Sequence, residues 1–95
     1  MKSIMQDKDS RTCYLCGREG ITEEHHVFYG TSNRKWSEKY GLKVRLCPEC
    51  HRAGKIGIHG GNRNADSELK RAGQMAFEKK NPNISFRQIF GKNYL

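Results

Sequence analysis

Two Cys-x-x-Cys pairs, Cys13-Tyr-Leu-Cys16 and Cys47-Pro-Glu-Cys50, bracket a stretch of 30 residues. Each knuckle presents two sulfurs converging on one point, and two knuckles supply the tetrahedral thiolate set that zinc takes in structural sites. One ion held by Cys13, Cys16, Cys47 and Cys50 closes everything between them into a loop, and the chain has to fold around that closure. Composition explains why a staple is needed. Only 35% of the 95 residues are hydrophobic, whereas ordering costs roughly 1.5 kcal/mol per residue, and domains this small commonly rest on a metal or on disulfides. Apparent zinc free energies of roughly 10 to 16 kcal/mol in finger peptides can decide whether such a fold exists. Disulfides are the competing use of the cysteines. The N-terminus Met-Lys-Ser-Ile-Met-Gln-Asp-Lys has no apolar signal core, so a reducing cytoplasm is expected instead. No apolar run approaches the roughly 18 to 20 residues that span a bilayer, and no membrane partner is expected.

The histidines form a second constellation. His25-His26 lie inside the loop, His51 directly follows the second knuckle, and His59 sits in a glycine-rich segment. A lone histidine is usually an ordinary surface or core residue, but four in one small domain point to a second metal site beside the thiolates. Neighbouring side chains on a strand point to opposite faces, so His25 and His26 cannot share one job: one suits a metal, the other a proton.

Along the chain, residues 1–11 are polar and without periodicity and read as a flexible arm. Gly17 and Gly20 supply the turns of the first knuckle. His25-His26-Val27-Phe28-Tyr29 reads as a short strand ending at Gly30, and Leu42-Lys43-Val44-Arg45-Leu46, alternating apolar and basic, as the clearest strand of the chain. Between them, Thr31 to Gly41 reads as a loop with one helical turn in which Trp36 and Tyr40 pack at i and i+4. Pro48 suits the first position of a short helix carrying Cys50 and His51. Gly54 to Asn64 reads as a loop. Ala65, Leu69, Ala72, Ala76 and Phe77 share a stripe that predicts a helix from about residue 65 to 80, ended by Asn81-Pro82. Ser85 with Gln88 resembles a cap opening a last turn to Phe90. There is no internal repeat and no second core, so a single small α+β domain is expected.

Charge indicates the partner. A formal net charge of +8 falls to roughly +6 once four thiolates hold zinc, still strongly basic for the size. The basic residues surround the histidines, which points to nucleic acid. Arg34, Lys35, Arg45 and Arg52 are the candidate phosphate contacts.

The order Cys-x-x-Cys, then Glu24-His25-His26-Val27-Phe28, then Leu46-Cys47-Pro48-Glu49-Cys50-His51-Arg52 resembles the HNH endonucleases, the ββα-metal or His-Me finger nucleases, in their four-cysteine zinc-bound phage or prophage form. The resemblance covers most of residues 12–60, and the tail with Phe77, Phe86 and Phe90 is similar to the helical extension of phage-type members. It implies an arm over 1–11, a zinc-stapled ββα-metal domain over 12–62 and a helical extension over 63–95 packed on it. It further implies a structural zinc, a catalytic divalent ion (magnesium, manganese, nickel or zinc) held by His25, His51 and His59, and His26 as general base. His59 takes the place of the family's last histidine, displaced by a loop insertion. The family's middle asparagine, which orients the histidine loop, is absent, and Leu42 stands in its place. Asn33, seven positions after His26, Ser37 or a backbone carbonyl is left to replace it, and Asn33 is the candidate catalytic residue.

The chemistry agrees with the resemblance. A neutral imidazole, with an ordinary pKa of about 6.5, accepts a proton from water at neutral pH, while a divalent ion and basic side chains neutralise charge developing on phosphate. Metal-dependent DNA hydrolysis, by nicking or double-strand cleavage, in the cytoplasm of a phage-infected or prophage-carrying bacterium is the leading expectation. Charge alone suits RNA equally well, and a second copy or a phage protein is a further expected partner. The competing expectation is a noncatalytic zinc-stabilised module that binds nucleic acid or acts as a phage adaptor or inhibitor.

Overall fold

A computed structural model describes residues 2–7, 10–53 and 57–95. In chain order the elements are β1 (Glu23–His26), α1 (Arg34–Tyr40), β2 (Lys43–Leu46), α2 (Pro48–Arg52), α3 (Arg63–Lys80) and α4 (Phe86–Phe90). The strands form an antiparallel hairpin that pairs Glu23 with Leu46 and His26 with Lys43. The chain is thus a small α+β domain, and no described helix is long and apolar enough to cross a membrane.

The first strand is displaced from its expected position, running over Glu23–His26 rather than His25–Tyr29. Val27 still donates its amide to the Leu42 carbonyl at 2.9 Å, and beyond it the chain leaves the ladder as Val27 and Phe28 pack into the core, where both are essentially inaccessible. Ser37 holds that departure: its hydroxyl donates to the Phe28 carbonyl at 2.7 Å and accepts from the Phe28 amide at 3.0 Å. The segment read as one helical turn is the seven-residue α1, closed by Gly41 in the left-handed conformation (φ 72°). A β-carbon at Gly41 would also collide with the Lys2 carbonyl, so glycine is required twice over.

Residues 2–7, part of the segment expected as a flexible arm over 1–11, lie along β2, where the sheet edge offers unpaired backbone groups. Ile4 donates its amide to Gly41, Ser3 its hydroxyl to the Lys43 carbonyl, and the Gln6 side chain accepts from the Arg45 amide at 2.7 Å.

Helix α3 begins at Arg63, two residues before the apolar stripe, because the Asn62 side chain accepts from the Ala65 amide. Ser85 accepts from the Gln88 amide and caps α4, as the sequence spacing anticipates. Core residues Leu42, Val44, Leu46, Leu69 and Phe77 join Phe28, whose ring meets Phe86, Phe90 and Tyr94 at centroid separations of 5.1, 4.6 and 5.4 Å. The residue two places after the tandem histidines is therefore the centre of the aromatic cluster that seats the C-terminal helices.

Candidate functional site

The thiols come together first. Tyr14 donates its amide to the Arg45 carbonyl at 2.8 Å, and this docks the first knuckle beside β2, which leads directly into the second. The sulfurs of Cys13, Cys16, Cys47 and Cys50 lie within 4.8 Å of one another, with Cys16 Sγ and Cys47 Sγ 3.7 Å apart. A tetrahedron with zinc–sulfur bonds of about 2.3 Å has edges of about 3.8 Å, so the spacing suits an ion at the centre. Electrostatics agree. Burial opposes ionisation of Cys13, yet the backbone amides of Cys16, Cys47 and Leu15 outweigh it and hold the thiol down to about 7. Burial and the neighbouring sulfurs push Cys50 far up. The protein alone tolerates little negative charge here, and a divalent cation is what lets all four sulfurs ionise. The cysteines form a site suited to structural zinc.

The histidines separate onto the two faces of β1. His25 turns inward, 2% exposed, and meets His51 and His59 in a near-equilateral triangle with ring centroids 5.1, 5.1 and 4.8 Å apart. Their ligand nitrogens also gather within 4.8 Å. Sequence leaves His59 distant from His51 across a glycine-rich loop whose residues 54–56 lie outside the described set. The returning chain solves this: Ile58 donates its amide to Cys50 and His59 donates to His51, each at 2.9 Å, which folds His59 back onto α2.

His25 Nε2 is buried with no hydrogen-bond partner among the described residues. Such a nitrogen carries a desolvation penalty unless something binds it. Burial, followed by the proximity of His51 and His59, drives the His25 pKa down to about 3, so the imidazole is neutral and its lone pair available. Burial lowers that of His59 in the same direction. His51 Nδ1 lies 2.8 Å from Glu23 Oε1, and the hydrogen bond from His51 holds the Glu23 pKa low. An ionised carboxylate only accepts, so His51 Nδ1 carries the proton and Nε2 remains free to coordinate. The three imidazoles fit a borderline divalent ion.

His26 lies on the other face with Glu24 and Glu38. Its Nε2 is 3.0 Å from Glu38 Oε1, and Lys43 donates to Glu38 Oε2 at 2.8 Å. These bonds, Lys43 first and His26 second, take the Glu38 pKa down to about 2. The same acceptor logic puts the His26 proton on Nε2 and leaves Nδ1 as a lone pair. Both histidine groups open into one groove, walled by Tyr29, Gly30 and Thr31 and flanked by Arg34 and Lys35.

The other expected contacts fall elsewhere. Arg45 is tied to Thr22 by Nε at 3.1 Å to the hydroxyl and by Nη2 at 2.7 Å to the carbonyl. It lines a separate cleft with Lys2, Gln6 and Glu24. Arg52 grips Glu23 with Nε at 3.1 Å and Nη2 at 2.8 Å, so its role is to steady the carboxylate behind His51. Asn33 is the residue before α1, with no side-chain capping bond, and Ser37 rather than Asn33 anchors the chain beyond the histidines. A hydroxyl suffices because α1 packs directly against the Phe28 backbone.

Sequence reasoning missed Glu23 and Glu38. Their partners are 28 and 12 residues away, and no local spacing signals them. It also missed Tyr29, whose ring stands 5.7 Å from His25 and 5.3 Å from His59 while its hydroxyl donates to Asp66 Oδ2 at 3.1 Å. No family model, curated protein or solved structure matches this chain.

Proposed function

We propose that this zinc-stapled domain is a metal-dependent DNA endonuclease of the HNH type. The observation that carries the reading is His25 Nε2, buried and without a hydrogen-bond partner among the described residues, on a ring clustered with His51 and His59, with a carboxylate-held His26 at the same groove. A divalent ion held by His25, His51 and His59 would neutralise charge on a phosphate oxygen and on the leaving oxygen. Arg34 and Lys35 border the groove where they can hold phosphates of the bound strand. His26 takes the proton of the attacking water at Nδ1, and the resulting imidazolium donates through Nε2 to Glu38. Lys43 keeps Glu38 ionised for that role. Ser37 fixes the backbone of Phe28, two residues after His26, so the segment carrying the base is held without the family's asparagine.

Supercoiled-plasmid conversion tests the reading, with EDTA and then with magnesium, manganese, nickel or zinc. Metal-dependent nicking is expected, and His26→Ala should lower it by roughly 10²- to 10⁴-fold, the usual contribution of a general base, while DNA binding persists. Inactivity of the wild type under every metal, with zinc bound and DNA retained, would instead identify a noncatalytic binding module.

A further inference from the structure

The histidine groove does not end at Tyr29 and His59. The same two side chains form the wall of a second hollow of about 530 Å³, which continues over the first turns of α3 to the C-terminal segment. Three cations line it, Arg63, Lys70 and Lys92, with Tyr29 and Tyr94 as its aromatic sides. Lys70 stands 4.7 Å from the Tyr29 ring and 5.6 Å from that of Tyr94, and Lys92 is 5.2 Å from Tyr94.

One carboxylate is present, and its charge is compensated. Asp66 Oδ2 pairs with Lys70 at 3.0 Å and accepts from Tyr29, while Oδ1 is buried with no hydrogen-bond partner among the described residues and so faces away from solvent and ligand alike. Arg63 and Lys92 are exposed and form no ion pair among the described residues. An ordinary solvated lysine or arginine needs no ligand, but here two cations without an ion pair among the described residues line a hollow that shares Tyr29 and His59 with the candidate active site. That site is itself bordered by Arg34 and Lys35. The short steps from His25 to Tyr29, Tyr29 to Lys70 and Lys70 to Tyr94, 5.7, 4.7 and 5.6 Å, keep the hollow within reach of the next few phosphates of a strand, whose rise is about 3.4 Å per nucleotide.

Resting on the nuclease reading for its choice of polyanion, we propose that this hollow is a second phosphate subsite, in which Arg63 and Lys92 hold the backbone of the DNA strand beyond the scissile position. The strand then runs from Arg34 and Lys35, past the histidines, onto α3. The C-terminal extension is therefore part of the substrate track as well as a support for the core.

Salt-dependent binding to a fluorescent 20-bp duplex tests this, using the zinc-loaded 95-residue chain in a His26→Ala background so that cleavage does not intervene. Arg63→Ala/Lys92→Ala should reduce the slope of log K against log salt by roughly 1.8 and weaken binding roughly tenfold near physiological salt, as expected for two lost phosphate contacts. Lys79→Ala/Lys80→Ala removes the same charge from exposed positions at the far end of α3 and should leave the slope nearly unchanged. Equal effects of the two pairs, or no effect of the first with its thermal melt intact, would overturn the subsite. If the slope falls for Arg63 and Lys92 alone but the wild type cleaves no plasmid, the subsite stands and only the hydrolytic reading is lost.

Discussion

At the residue scale, the two neighbouring histidines owe their different chemistry to which face of β1 they occupy. His25 is sealed among two other imidazoles and is held neutral, with a pKa near 3 against an ordinary 6.5. The unfolded chain binds that proton more readily, so the contribution of a neutral His25 to stability is complete above about 6.5 and is lost progressively as pH falls toward about 3. Ring-nitrogen NMR on protein carrying only the structural zinc should find His25 unprotonated at pH 5; a positively charged ring there would contradict its burial. Glu23 acts one step removed, fixing which nitrogen of His51 bears the proton. If the three histidines hold a divalent ion as proposed, Glu23→Gln should weaken its binding by roughly 10- to 100-fold, the usual loss when a ligand's supporting carboxylate is removed. Calorimetric titration with nickel against the zinc-loaded protein measures this, and an unchanged affinity would mean that His51 is oriented by packing alone.

At the element scale, the join between the hairpin and the C-terminal helices depends on close approach. Gly73, in the middle of α3, lies against the hairpin exit: a β-carbon there would sit 3.0 Å from Phe28 Cε2 and 3.1 Å from Val27 Cγ1. Helical propensity favours alanine over glycine by about 1 kcal/mol, whereas overpacking a full core costs about 1 to 3 kcal/mol. Gly73→Ala should therefore destabilise despite its better propensity, seen as a lower urea midpoint with an unchanged slope; a higher midpoint would mean that the Phe28 ring yields freely. Gln74 beside it illustrates a polar residue spent on structure. It is 3% exposed, donates to Asn93 at 2.7 Å and accepts from the Tyr94 amide at 2.7 Å, so it ties the C-terminal segment to α3. The sequence stripe marks Leu69 and Phe77 correctly as core but passes over Gly73 and Gln74, because a pattern of apolar residues records neither close backbone approach nor internal hydrogen bonds.

At the scale of the whole molecule, the thiolate site and the aromatic core hold opposite ends of one hairpin. Chelation of zinc should abolish the cooperative thermal transition and the native circular dichroism together, since apparent zinc free energies of roughly 10 to 16 kcal/mol exceed what so small a core supplies. A transition surviving complete metal removal would show the cysteines to be dispensable for folding. The knuckles, the helical stripe of α3, the Ser85 cap and the tandem histidines were all legible in the amino-acid sequence, because each is a local pattern of residue types at fixed spacing. By itself the sequence determined that four sulfurs can meet on one ion, that His25 and His26 must face apart, and that the surface is strongly basic. Only the tertiary structure decided that His59 folds back onto His51, that Ser37 rather than Asn33 anchors the histidine segment, that Glu23 and Glu38 set the imidazole tautomers, and that Arg45 and Arg52 are occupied elsewhere. Those outcomes depend on pairings between side chains far apart in the chain, and nothing in local spacing encodes a distance that packing alone creates.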